Sequence, residues 1–133
     1  MSKHATATFT LDSWDQENLV EQASGTISQA AVTKTYSGEL AGTSVTRLLF
    51  GAGAEDSPGY AGFEIVTADL QGREGSFLLH HNAAKVGDDP DKGFFSLTVL
   101  ANSGTGDLTG ISGSAQITVA EDGGHTIDLD YDV

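Results

Sequence analysis

The chain has 133 residues, no Cys, 17 Gly and a formal net charge of −13. This length points to one domain over residues 1–133, with enough chain to bury a core without covalent staples. The lack of Cys excludes disulfides and thiolate metal sites, and the charge repels phosphate backbones and anionic lipid surfaces, so no nucleic-acid or membrane partner is expected.

The N-terminal Met1-Ser2-Lys3-His4-Ala5 carries no apolar stretch behind a basic one, so no signal peptide is read there. The longest obvious apolar run, Leu48-Leu49-Phe50, is far too short to cross a bilayer, and a cytoplasmic location is the expectation. Ala5 to Leu11 alternates strictly, with Ala5, Ala7, Phe9 and Leu11 on one face of a half-buried strand. Ser13 to Gln22 breaks the alternation around Trp14 and reads as a loop or one short helical turn. Gly25–Tyr36, Ser44–Phe50, Tyr60–Leu70 and Gly72–Asn82 read as strands two to five, rich in Thr, Val, Ile and aromatic residues. Gly51–Gly59 is a loop by its Gly, Asp, Ser and Pro, and Ala83–Gly93 is an acidic loop. Phe94–Ala101, Ser114–Ala120 and His125–Tyr131 complete eight strands, the last two joined by the hairpin turn Glu121-Asp122-Gly123-Gly124. In the last strand Ile127, Leu129 and Tyr131 should face inward, and Thr126, Asp128 and Asp130 outward.

One phrase recurs three times: acidic, Leu, any residue, Gly. It stands at Glu39–Gly42, Asp69–Gly72 and Asp107–Gly110. The repetition of strand, Gly-marked turn and strand is the pattern of an up-and-down meander, and closure removes its exposed edges. The expected fold is all-β: a single closed antiparallel eight-stranded β-barrel.

Few residues carry candidate chemistry. His80 and His81 are adjacent on a strand and point to opposite faces, so at most one can face the interior. His81 shares its face with Phe77 and Leu79, and there it is either a hydrogen-bonded core residue or a general acid/base. Glu64 lies between Phe63 and Ile65 and shares a face with Gly62 and Val66. If that face is internal, burial raises its pKa unless a partner offsets it; Arg47, Arg73 and Tyr60 are the partners the sequence offers. A metal site needs three or four converging ligands, and His4, His80, His81 and His125 show no His-x-His or His-Glu-x-x-His spacing. Asp88-Asp89-Pro90-Asp91 lacks the spacing of a calcium loop. Ser103-Gly104-Thr105-Gly106 leads to a strand and has no Lys, so it reads as a turn and not as a phosphate cradle. No metal or cofactor is expected.

Tyr36–Ser44, Gly72-Arg73-Glu74-Gly75-Ser76-Phe77 ending in His81, Ser103–Leu108 and the closing Leu129-Asp130-Tyr131 together resemble the DUF3224 family of small bacterial proteins. The resemblance runs from about Ala5 to the C-terminus and implies a barrel like that of allene oxide cyclase. The chain departs from the family pattern at His80, Ala68 and Ile65. Three functions follow as alternatives. One is a barrel holding a small apolar molecule, with Tyr60, Arg73, Phe77, Leu79 and Tyr131 as lining residues. The second is a cyclase or isomerase acting on an apolar intermediate, with Glu64 and His81 as its catalytic pair. The third is a non-catalytic module that pairs with itself as a homo-oligomer.

Overall fold

In the computed structural model, which describes residues 2–53, 57–89 and 91–133, the chain forms eight strands and a single 3-10 turn. The strands are β1 (Lys3–Gln22), β2 (Gly25–Gly38), β3 (Leu40–Ala52), β4 (Pro58–Leu70), β5 (Arg73–Ala84), β6 (Phe94–Val99), β7 (Ser112–Val119) and β8 (His125–Asp132). Each pairs antiparallel with its neighbours in sequence, and β8 returns to β1 to close the barrel. The expected eight-stranded meander is therefore the fold. Parts of the two expected loops, residues 54–56 and 90, and Met1 lie outside the described residues. No helix among the described residues is long and apolar enough to cross a membrane.

The reading of Ser13–Gln22 as a loop or helical turn is corrected. β1 continues without interruption to Gln22. Two irregularities, between Leu11 and Ser13 and between Asn18 and Val20, shift the side chains from one face to the other. Such bulges erase the period-two signal without ending the strand.

The triple repeat closes one end of the barrel. Leu40, Leu70 and Leu108 are all buried in the core. The acidic residue of each copy ties down a backbone N–H. The Glu39 carboxylate accepts from Thr6 N–H at 2.9 Å, that of Asp69 from Gly72 N–H at 2.9 Å, and that of Asp107 from Glu74 N–H at 3.4 Å. Gly72 and Gly110 turn the chain at φ 92° and 88°, a region that disfavours residues with a Cβ. The repeat is thus a plug with a backbone tie, used at three alternate junctions, β2–β3, β4–β5 and β6–β7. Behind it pack Ala5, Ala7, Phe77, Ile111, Leu129 and Tyr131, and the Tyr131 hydroxyl donates to Gln71 Oε1.

The other end is open. Strands β1 to β5 are 20, 14, 13, 13 and 12 residues long, whereas β6 to β8 have 6, 8 and 8. β8 covers β1 only over Lys3–Phe9, and β7 meets β6 in the ladder at Thr98 and Ser114. Beyond those points the long strands run on with their inner face uncovered. Inward-facing side chains lose burial along this axis: in β7, Ala115 is buried, Ile117 is half-buried and Val119 is 61% exposed.

Candidate functional site

Where the filled core meets the open end, four polar side chains converge on one carboxylate. Glu64, on the inward parity of β4 between Gly62 and Val66, is 0% exposed. Its Oε1 accepts from Lys34 Nζ at 3.1 Å and from His81 Nε2 at 2.7 Å. Its Oε2 accepts from the Tyr36 hydroxyl at 2.5 Å and the Ser44 hydroxyl at 2.6 Å. The donors come from β2 (Lys34, Tyr36), β3 (Ser44) and β5 (His81), so the cluster bolts four consecutive strands together inside the barrel.

Burial alone would push the Glu64 carboxyl up, because the interior disfavours a charge. The His81 hydrogen bond, the Lys34 ammonium and the two hydroxyls outweigh it and hold Glu64 at about 2, so the group is ionised. Burial, and then the negative charge of Glu64, push the Tyr36 hydroxyl well above its ordinary value, so it remains a donor. A carboxylate has about four lone-pair sites, and all four are taken here. Glu64 therefore has no capacity left for a substrate proton or a ligand. Its chemistry is to fix its four donors. Lys34, by contrast, has three N–H groups, one of them on Glu64, and lies over the Phe9 ring at 4.8 Å from the centroid.

Beside Glu64 stands Thr46, its direct cross-strand neighbour. Thr46 is buried, and its hydroxyl has no hydrogen-bond partner among the described residues. An orphaned buried hydroxyl costs roughly 1–3 kcal/mol, so it marks a position that something polar should satisfy. One row further toward the mouth the inward residues are Leu48, Gly62 and His81. A Cβ on Gly62 would meet the Arg47 carbonyl oxygen at 2.1 Å and Leu48 Cα at 2.9 Å. Gly62→Ala should therefore force the β3–β4 ladder apart and lower stability by about 1–3 kcal/mol in urea unfolding.

The mouth above this floor is aromatic. Trp14, opposite Val32 and so on the inner face, is 46% exposed. Its ring lies 6.0 Å from that of Phe50, which lies 5.4 Å from that of Tyr60. Phe50 and Tyr60 are half-buried, and Phe95, opposite Ala83, is exposed on the same inner face. Together they form an apolar wall ending on the Lys34–Glu64–His81 cluster.

The structure thus brings two expected residues, Glu64 and His81, into direct contact and puts both inside. His80, as parity required, faces outward, stacked on Phe63 at 4.9 Å. The expected partners of Glu64 are corrected. Arg47 faces outward and Arg73 is exposed at the closed end, while Tyr60 lies in the mouth and donates nothing to Glu64. Phe77, Leu79 and Tyr131 are completely packed into the core among their neighbours. Sequence reasoning missed Lys34, Tyr36, Ser44 and Thr46. The available signal was Lys34 itself, a cation on the Ala30, Val32, Tyr36 parity of an otherwise apolar face. Among the described residues no group of three or more His, Asp or Glu side chains could hold a metal ion.

Fold and site define a small closed meander barrel with a buried, fully satisfied carboxylate cluster under an open apolar end. More specifically, the chain belongs to the DUF3224 family, whose model, described as a protein of unknown function, matches residues 5–131. A crystal structure of a DUF3224 protein of unknown function from Shewanella oneidensis MR-1 is similar throughout. It is 28% identical, with a TM-score of 0.89, and the match covers 99% of this chain and 98% of that one. No curated protein matches the chain.

Proposed function

We propose that this barrel binds a small apolar molecule carrying one uncharged hydrogen-bond acceptor, such as a ketone, ester or alcohol oxygen. The observation that carries this reading is the inner-face run of exposed Trp14 and half-buried Phe50 and Tyr60, set above a floor with an orphaned hydroxyl. Large apolar side chains turned inward and left uncovered have a function only if something covers them. The head group is inferred from the donors. Lys34 and Thr46 have hydrogen-bonding capacity left, whereas Glu64 has none. The Lys34 and Glu64 charges cancel, so a ligand carboxylate would be a second anion beside Glu64 in a chain of net charge −13. A neutral acceptor meets no such repulsion.

In this reading Glu64 is a positioning residue that aims Lys34 and His81 at the ligand. A cyclase using Glu64 as its base would first have to strip one of the four donors from it, so binding is the reading the geometry supports best.

The only Trp in the chain is Trp14, which makes its fluorescence a local reporter. Titration with 2-decanone and decan-1-ol should give saturable changes in Trp14 emission, and decanoate should give none. Thr46→Val should weaken 2-decanone binding about fivefold, one hydrogen bond at about 1 kcal/mol, while raising the melting temperature because an orphaned hydroxyl is removed. Equal affinity for decanoate, or no saturable change with any of the three together with no ligand retained in native mass spectrometry of freshly purified protein, would overturn the proposal.

A further inference from the structure

The outer surface carries a feature that ligand binding does not use. Cross-strand register aligns four outward rows over β2 to β5: Thr33–Val45–Ile65–Leu78, Ala31–Arg47–Phe63–His80, Gln29–Leu49–Ala61–Asn82 and Ile27–Gly51–Gly59–Ala84. Val45, Leu49, Phe63 and Ile65 are each between 44% and 56% exposed. In a barrel the outward parity should be polar, and one such residue would need no explanation, but four large apolar side chains in contiguous rows do. At the rim the last row adds a groove of about 430 Å³, lined by Ile27, Leu49, Gly51, Gly59, Ala84 and Phe94 and bordered by Phe50 and Tyr60 of the mouth.

Charge distinguishes this face further. The chain carries 19 Asp and Glu residues, yet none of these four rows contains one. Among the described residues of these rows the only permanent charge is Arg47, opposite in sign to the net charge. Among the described residues the carboxylates begin at its borders, at Asp15 and Glu17 on β1 and at Asp69 and Glu74 toward the closed end.

We propose that this face is the contact between two copies of the chain. Two bodies of charge −13 can approach only where neither presents carboxylates, and this face meets that condition while offering apolar area. The size fits. Five strands, counting the β6 edge at Phe94, Ser96 and Thr98, at about 4.8 Å spacing, and four rows two residues apart, cover roughly 650 Å² before side-chain relief is counted. A standard interface buries about 600–1,000 Å² per partner. The rows pack flat against a second copy, with Phe63 and its stacked His80 at the centre and the rim groove receiving a side chain from the partner. A membrane is a poorer occupant, because anionic lipid would face the acidic border.

Sedimentation velocity on the full chain tests this. The protein should sediment at twice 13.8 kDa at micromolar concentrations. Raising salt from 50 to 500 mM should strengthen the association, since salt screens repulsion between the acidic bodies and leaves apolar contact intact. Val45→Asp and Ile65→Asp, both at exposed outward positions that leave the core untouched, should each weaken dimerisation at least tenfold, and Val119→Asp at the mouth should not. Circular dichroism confirms the fold, and Leu49→Asp serves should either variant fail to fold. A monomer at 100 µM overturns the proposal, as does a dimer that folded Val45→Asp and Ile65→Asp leave intact. Ligand titration reads the inner face, so it stands or falls separately.

Discussion

Glu64→Gln is expected to lower the unfolding free energy by about 3–5 kcal/mol, the loss typical when one partner of a buried ion pair is removed. The amide leaves the Lys34 ammonium uncompensated, and its NH2 group points a donor at groups that themselves donate. Adding Lys34→Met should recover much of the loss, because the unpaired charge is then gone, and a double-mutant cycle in urea measures the coupling. The pH dependence follows from the same geometry. Burial pushes the carboxyl up, but His81, Lys34, Ser44 and Tyr36 bring the folded value down to about 2 from an ordinary 4.5. The unfolded chain therefore binds the proton more tightly than the folded one. The stabilisation is complete above about 4.5 and is lost as pH falls from there through about 2, a loss of order 3 kcal/mol. This part of acid unfolding should be missing in Glu64→Gln. An unchanged acid limb would show that the carboxylate is not held as described.

Leu129→Ala is expected to cost about 2–5 kcal/mol, since Leu129 sits in the centre of the core and the cavity left behind cannot collapse between Ala5, Ala115 and their neighbours. Val119→Ala, on the same inward parity of the neighbouring strand, should stay within about half a kcal/mol, because Val119 stands beyond the covered part of the barrel. Chemical denaturation of the two variants side by side measures the boundary between core and mouth. Similar losses at both positions would mean that the mouth is packed after all.

Period-two alternation, read without any structure, determined the eight strands, their order and which face of β8 turns inward: Ile127, Leu129 and Tyr131 are buried and Asp130 is exposed. These are local properties, because adjacent side chains on a strand must point to opposite faces whatever the strand packs against. The repeat carried its geometry only in part: Asp69 ties Gly72 within its own junction, whereas Glu39 and Asp107 reach Thr6 and Glu74, each 33 residues away. The same rule allowed only one of His80 and His81 inside. What parity could not decide was which partners meet across the barrel. Glu64 is brought to Lys34 and Tyr36 by the register of β2 on β3 and β3 on β4, and Lys34 stands 30 residues away in sequence. Arg47 was the nearer cation along the strands, but it lies one residue off the inward parity and so faces solvent. The extent of β1 was hidden because two bulges broke its period. The open mouth was hidden for a different reason: Ile117 and Val119 obey the inward pattern, and only the shortness of β6 to β8 leaves them uncovered. A strand's face is a property of its own sequence, whereas what lies against that face is decided by the lengths and registers of the other strands.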